Sequence, residues 1–131
     1  MFLDYLSDTN KANFIELAYK LAYSNKEFPE AQRKLLGRYK EKCGISYIPN
    51  TTTAEALMAG FGEQNDQVKR IVYFEIYMLL ASDEEIDADE TKVLGELRSA
   101  FSLSDEEAER IQQQGLAQKQ AVEDLKKSLR I

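Results

Sequence analysis

The chain has 131 residues, 44% of them apolar, with six glycines, two prolines, one cysteine and no histidine. That is enough to bury one core, with too little proline and glycine for a disordered segment or a many-turned all-β fold. Seventeen basic against twenty-three acidic residues leave a net charge of −6, which argues against a nucleic-acid surface, and the missing histidine removes the commonest general base and zinc ligand.

The elements read as helices. Phe14, Leu17, Ala18, Leu21 and Ala22 recur at the spacing of one helical face; Thr9 or Asn10 is the expected cap, and the helix should run to about Ser24. A turn at Asn25–Phe28 leads to a second helix, with Pro29 in its first position, Leu35, Leu36, Tyr39 and Cys43 as its inner stripe and Gly44 as its stop. Residues 45–53, with Pro49 and three threonines, read as a loop, and Thr53 opens a short helix that closes at Gly62. Asp66–Ser82 is apolar nearly all round and is expected at the centre. Asp87 should cap the next helix, whose stripe is Val93, Leu94, Leu97 and Phe101. Ser104 and Glu107 form a capping box. The helix they open should reach about Gln114 and bend or end at Gly115, before a last helix near 118–130 whose Val122, Leu125 and Leu129 share one face. It is expected to pack back on the core, the alternative being an amphipathic handle laid into a partner's groove.

These elements repeat. Phe14–Ser46 aligns without a gap on Val72–Ser104 at an offset of 58, with eight identities, among them Tyr19/Tyr77, Leu21/Leu79, Leu36/Leu94 and Gly37/Gly95. Self-similarity at a fixed spacing is an architectural signal. The expected fold is therefore a single compact all-α domain of six to seven helices, built from two pseudo-twofold-related helical hairpins, about 10–62 and 66–115, with a C-terminal helix. Gly37 and Gly95 fall mid-helix, where glycine costs about 1 kcal/mol against alanine, so close helix–helix approach is the expected compensation.

Charge is uneven. Residues 1–50 carry eight basic and six acidic residues, and residues 51–131 carry nine and seventeen. The turn 82–90 concentrates the acid: Asp83, Glu85, Asp87 and Asp89 alternate, and Glu90 follows on the first turn of the next helix. Hard cations (Ca²⁺, Mg²⁺ or Mn²⁺) take several oxygens from a short bendable stretch, and this one offers them, although its spacing is not that of an EF-hand. The alternative is a solvated acidic turn that simply favours a helix N-terminus. Glu75 is the lone carboxylate in an apolar helical run; it is either an inner metal or partner contact or, the simpler expectation, an edge position paired with a lysine or arginine. Lys34, Arg38 and Lys42 form a basic stripe, a solvated face or a contact for an acidic protein partner, an anionic membrane surface or a second copy.

The pattern Ala81, Asp83, Ile86, Glu90, then Leu97, Phe101, Leu103 and Ser104, resembles the TerB-like domains linked to tellurite resistance, over most of residues 12–115. The resemblance implies a duplicated all-helical unit, an interaction or sensing module of bacterial stress response with an acidic cluster for one divalent cation. Separately, the missing histidine and the lack of a phosphate-binding glycine loop lead us to expect no enzyme, the alternative being carboxylate chemistry on a bound metal. Asp83 and Glu90 are the positions it carries over, with Glu85 and Asp87 as neighbours. The first repeat departs from the pattern, since Gln32 stands where Glu90 stands in the second, so the implied site is single. The other reading is a metal-independent adaptor for a protein partner. The lone Cys43, the absence of a signal-peptide pattern at Met1–Leu6 and the lack of an apolar run long enough to span a bilayer lead us to expect a cytoplasmic protein, monomeric or weakly self-associating.

Overall fold

The computed structural model describes residues 2–23, 29–44, 52–83 and 86–131, the side chain of Asp83 excepted. Among them are six α-helices and no strand: α1 Asp8–Tyr23, α2 Glu30–Cys43, α3 Ala54–Gly62, α4 Asp66–Leu80, α5 Ala88–Ala100 and α6 Asp105–Leu129. Two single 3₁₀ turns, Leu3–Tyr5 and Ala81–Asp83, complete them. No described helix is long and apolar enough to cross a membrane.

The helix boundaries follow the capping chemistry. Thr53 Oγ1 accepts from Ala56 N–H, Asn65 Oδ1 from Val68 N–H, and Asp87 and Ser104 each close a reciprocal box with Glu90 and Glu107. α1 starts earlier than its sequence suggests, because Ser7 Oγ, not Thr9 or Asn10, takes the free Asn10 N–H at 3.2 Å. Pro29 stands one position outside α2, as its N-cap, and Gly44 ends that helix at a φ of 65° that suits glycine.

The spans of α1 and α4 differ by 58 at their first residues, as do those of α2 and α5. α4 touches α1, α2, α3, α5 and α6 and is the central helix. Around it lie Phe14, Leu17, Leu36, Tyr39, Val72, Ile76, Leu79, Leu97 and Phe101, all buried. Phe14 meets Tyr39 edge-on at 5.1 Å, an arrangement favoured by the ring quadrupoles. Cys43 is half-buried against the same core, and burial pushes its thiol pKa up.

Three expectations about glycine and the C-terminus fail. Gly37 and Gly95 face open space, so no close helix approach compensates them. The close approaches are elsewhere: a Cβ on Gly62 would sit 2.6 Å from Ala100 O, and one on Gly115 would sit 2.9 Å from Met78 Sδ and Phe74 Cε1. Gly115 therefore neither bends nor ends its helix. It lets α6 lie against α4, and α6 continues unbroken to Leu129, absorbing what reads in sequence as a separate helix.

Nor does the end of α6 pack back on the core. Arg70 meets Glu107, Tyr73 meets Gln112, and Lys119 Nζ reaches Ala81 O at 3.2 Å, so α4 and α6 run side by side in the same direction. α4 stops at Leu80, and α6 runs ten residues beyond Lys119, about 15 Å past its neighbour. On that overhang Val122, Leu125 and Leu129 are 46%, 56% and 59% exposed.

Candidate functional sites

Two regions carry the sequence-predicted residues. The first is the start of α5. Asp87 Oδ1 accepts from Glu90 N–H at 2.7 Å, and Glu90 Oε1 accepts from Asp87 N–H at 3.2 Å. Asp87 is exposed, whereas Glu90 is 5% exposed and its other oxygen, Oε2, accepts from Gln32 Nε2 at 3.0 Å. Gln32 is wholly buried, and its Oε1 has no hydrogen-bond partner among the described residues. The two residues are 58 positions apart. That separation equals the offset of the sequence repeat, so the contact joins two positions that the repeat aligns.

The structure thus brings two of the four acidic candidates together, and both are engaged in ending the turn and starting a helix. Glu85 and the side chain of Asp83 lie outside the described residues. Among those described, no group of three or more Asp, Glu, Cys or His side chains is arranged to hold a metal ion. The local chemistry includes a buried carboxylate bonded by a backbone N–H and a side-chain amide. The amide's unused oxygen would suit a water, an N–H donor or a hard cation.

The second region is a groove of about 590 Å³ between α2 and the overhanging half of α6, with α4 beneath. Leu35, Phe74, Met78 and Val122 supply its apolar lining. Lys34 and Arg38 stand on the α2 side, Lys119 and Lys126 on the α6 side. Two members of the α2 basic stripe therefore face the groove; the third, Lys42, turns away to Asp4 at 3.4 Å.

Glu75 lies at the groove's inner end, 3% exposed. It is not the lysine- or arginine-paired edge residue that the simpler sequence reading expects. Its Oε2 accepts from Phe2 N–H at 2.6 Å, while Phe2 packs edge-on against Phe74 at 5.5 Å. Burial raises the Glu75 pKa, and the Phe2 hydrogen bond opposes the rise. Tyr39 donates its hydroxyl to the backbone oxygen of Glu75 at 3.0 Å, anchoring α2 to α4 directly under the groove.

Lys119 and Lys126 escape a reading by local pattern, because their neighbours in space are on α2 and α4. A signal was present all the same. Ala108, Ile111, Gly115, Val122, Leu125 and Leu129 fall on one stripe of a helix longer than the helix it packs against. Comparison of the chain with protein-family models, with curated proteins and with solved structures found no match.

Proposed function

We propose that this chain is a helical interaction module, of the kind found in the TerB-like stress-response domains its repeat resembles, and that it seats a protein partner along the groove between α2 and α6. The observation that carries this reading is the overhang of α6. A helix that stops packing on its own domain yet keeps its apolar stripe, beside a groove lined with Leu35, Phe74 and Met78, presents a surface suited to another chain. The site binds and does not catalyse. Its charged groups are lysines, an arginine and two carboxylates already turned to Phe2 N–H and Lys126, and no histidine exists in the chain to move protons at neutral pH. A cytoplasmic location and a monomeric or weakly associating state belong to the same reading.

The test places a photo-crosslinking amino acid at Val122 and, as a control, at the exposed Glu55 on α3, in living cells. A discrete adduct from position 122 and none from position 55 is expected. Equal labelling at the two positions, or no adduct at 122, would remove the groove as a partner site.

One observation favours a second element, gating by a divalent cation at the acidic turn. Gln32 Oε1 is buried without a partner among the described residues, and the nitrogen of the same amide bonds Glu90, which follows Asp83 by seven residues and Glu85 by five. Calorimetric titration of metal-free protein with Ca²⁺, Mg²⁺ and Mn²⁺ tests it. Stoichiometric heat that vanishes in the Asp83→Asn, Glu90→Gln double variant supports the ion. Without heat and without a shift in melting temperature, the chain is a metal-independent adaptor.

A further inference from the structure

We infer that the occupant of the α2–α6 groove is an acidic amphipathic helix. The inference rests on the partner-binding reading above and supplies the chemistry of the partner.

The charge in the groove opposes that of the molecule. The chain carries −6 overall, yet the groove holds Lys34, Arg38, Lys119 and Lys126 against Glu75 and Glu123. Both carboxylates are engaged, Glu75 by Phe2 N–H at 2.6 Å and Glu123 by Lys126 at 3.6 Å. Lys34 and Arg38 are exposed and form no ion pair among the described residues. On the other wall, Lys126 is shared with Glu123 and Lys119 also donates to Ala81 O at 3.2 Å. The four cations leave a net positive groove over an apolar floor. It complements a rod that is apolar along one face and acidic on its flanks, most strongly on the α2 side. That is the surface of an amphipathic helix with glutamates beside its apolar stripe.

Other occupants fit less well. A second copy of the overhang would bring an apolar stripe, but Lys119 and Lys126 flank that stripe, and pairing two such arms sets lysine against lysine. A membrane surface would satisfy the cations, but Leu35, Phe74 and Met78 line a concavity that a planar bilayer does not enter. An extended strand gains its affinity from a sheet edge, and no strand exists among the described residues. From Gly115 to Leu129 the stripe rises about 21 Å, which matches a partner helix of roughly four turns.

The first probe is a fluorescent synthetic helix of about four turns, with leucines on one stripe and glutamates on both flanks, titrated into the full chain by anisotropy. Its counterpart carries lysine in place of each glutamate. Saturable binding of the acidic peptide alone is expected, weakened about tenfold in Lys34→Glu, Arg38→Glu protein and less so at high salt. Val122→Asp, on an exposed position that leaves folding intact, should weaken binding at every salt concentration. Failure of the acidic peptide to bind overturns the inference, as does binding that both variants leave unchanged. Flotation with phosphatidylglycerol-containing vesicles but not with phosphatidylcholine alone, in protein that ignores the peptide, would assign the cations to a lipid surface instead. If the peptide fails while the Val122 crosslink in cells persists, the acidic-helix assignment falls and the partner-binding reading stands.

Discussion

Replacing Glu90 and Gln32 by leucine, singly and together, measures what their buried contact is worth. Glu90→Leu removes, among its interactions, the hydrogen bonds it accepts from Asp87 N–H at 3.2 Å and from Gln32 Nε2 at 3.0 Å. Losing the reciprocal half of the cap costs about 1 kcal/mol. Stranding the Gln32 amide, which is wholly buried and has no other partner for Oε1 among the described residues, adds about 1–2 kcal/mol. Gln32→Leu leaves a carboxylate short of one donor, a loss of about 1.5–3 kcal/mol, but also removes the orphaned oxygen, so its net cost is about 1 kcal/mol. Independent effects would sum to about 3–4 kcal/mol. In the double variant neither member of the pair is left stranded and the lost cap dominates, so the cost should be about 1 kcal/mol, a coupling of about 2–3 kcal/mol. Urea unfolding followed by far-ultraviolet circular dichroism in chelated buffer gives all four stabilities. Single costs that simply add, within about 0.5 kcal/mol, would refute the reasoning that this contact, rather than each residue's own packing, joins α2 to α5.

Two further predictions concern glycine and charge. Gly37→Ala and Gly95→Ala, whose new methyls meet nothing within 4 Å, should each raise stability by about 0.5–1 kcal/mol; Gly62→Ala, aimed at Ala100 O from 2.6 Å, should lower it by about 1–3 kcal/mol. The urea midpoints of the three variants decide this, and a loss at Gly37 or Gly95 would mean that those helix faces are covered. Glu75→Gln keeps an oxygen for Phe2 N–H and removes a buried charge. Because burial holds the folded-state pKa above 4.5, the folded chain binds this proton first as pH falls, and the group's contribution to stability declines as pH rises through the folded value. The variant should therefore be more stable than the parent at neutral pH, with the advantage shrinking towards pH 4.5. An advantage independent of pH would show that Glu75 is not the titrating group.

Much of this architecture was legible because its signals are local. The spans of α2, α4 and α5 follow from apolar spacing, with Gly44 and Asp87 marking two of their ends, and the first residues of α1 and α4, and of α2 and α5, fall at the 58-residue offset. The failures share a cause: each needed knowledge of what lies opposite. Gly115 looks like a stop when read along the chain, and only the presence of Phe74 and Met78 against it turns a helix breaker into a contact point. Gly37 and Gly95 invite the reverse error, since nothing stands opposite them. Glu75 reads as an edge residue because its partner, Phe2, lies 73 residues away and offers a backbone group that leaves no trace in composition. Val122, Leu125 and Leu129 mark an apolar face in any register, and their exposure follows from α4 being shorter than α6.

The hydrogen bond between Phe2 and Glu75 also sets a schedule for synthesis. Phe2 leaves the ribosome 73 residues ahead of its acceptor, an interval of about 4–15 s at ordinary elongation rates. Throughout it Phe2 has neither Glu75 to bond nor Phe74 to pack against. The α1–α2 hairpin emerges with its apolar faces bare and its sequence-related partner unmade. The helix whose counterpart comes first is thus the one that closes the nascent chain, and a pause in translation before residue 75 would hold half a core open to whatever chaperone or neighbour is at hand.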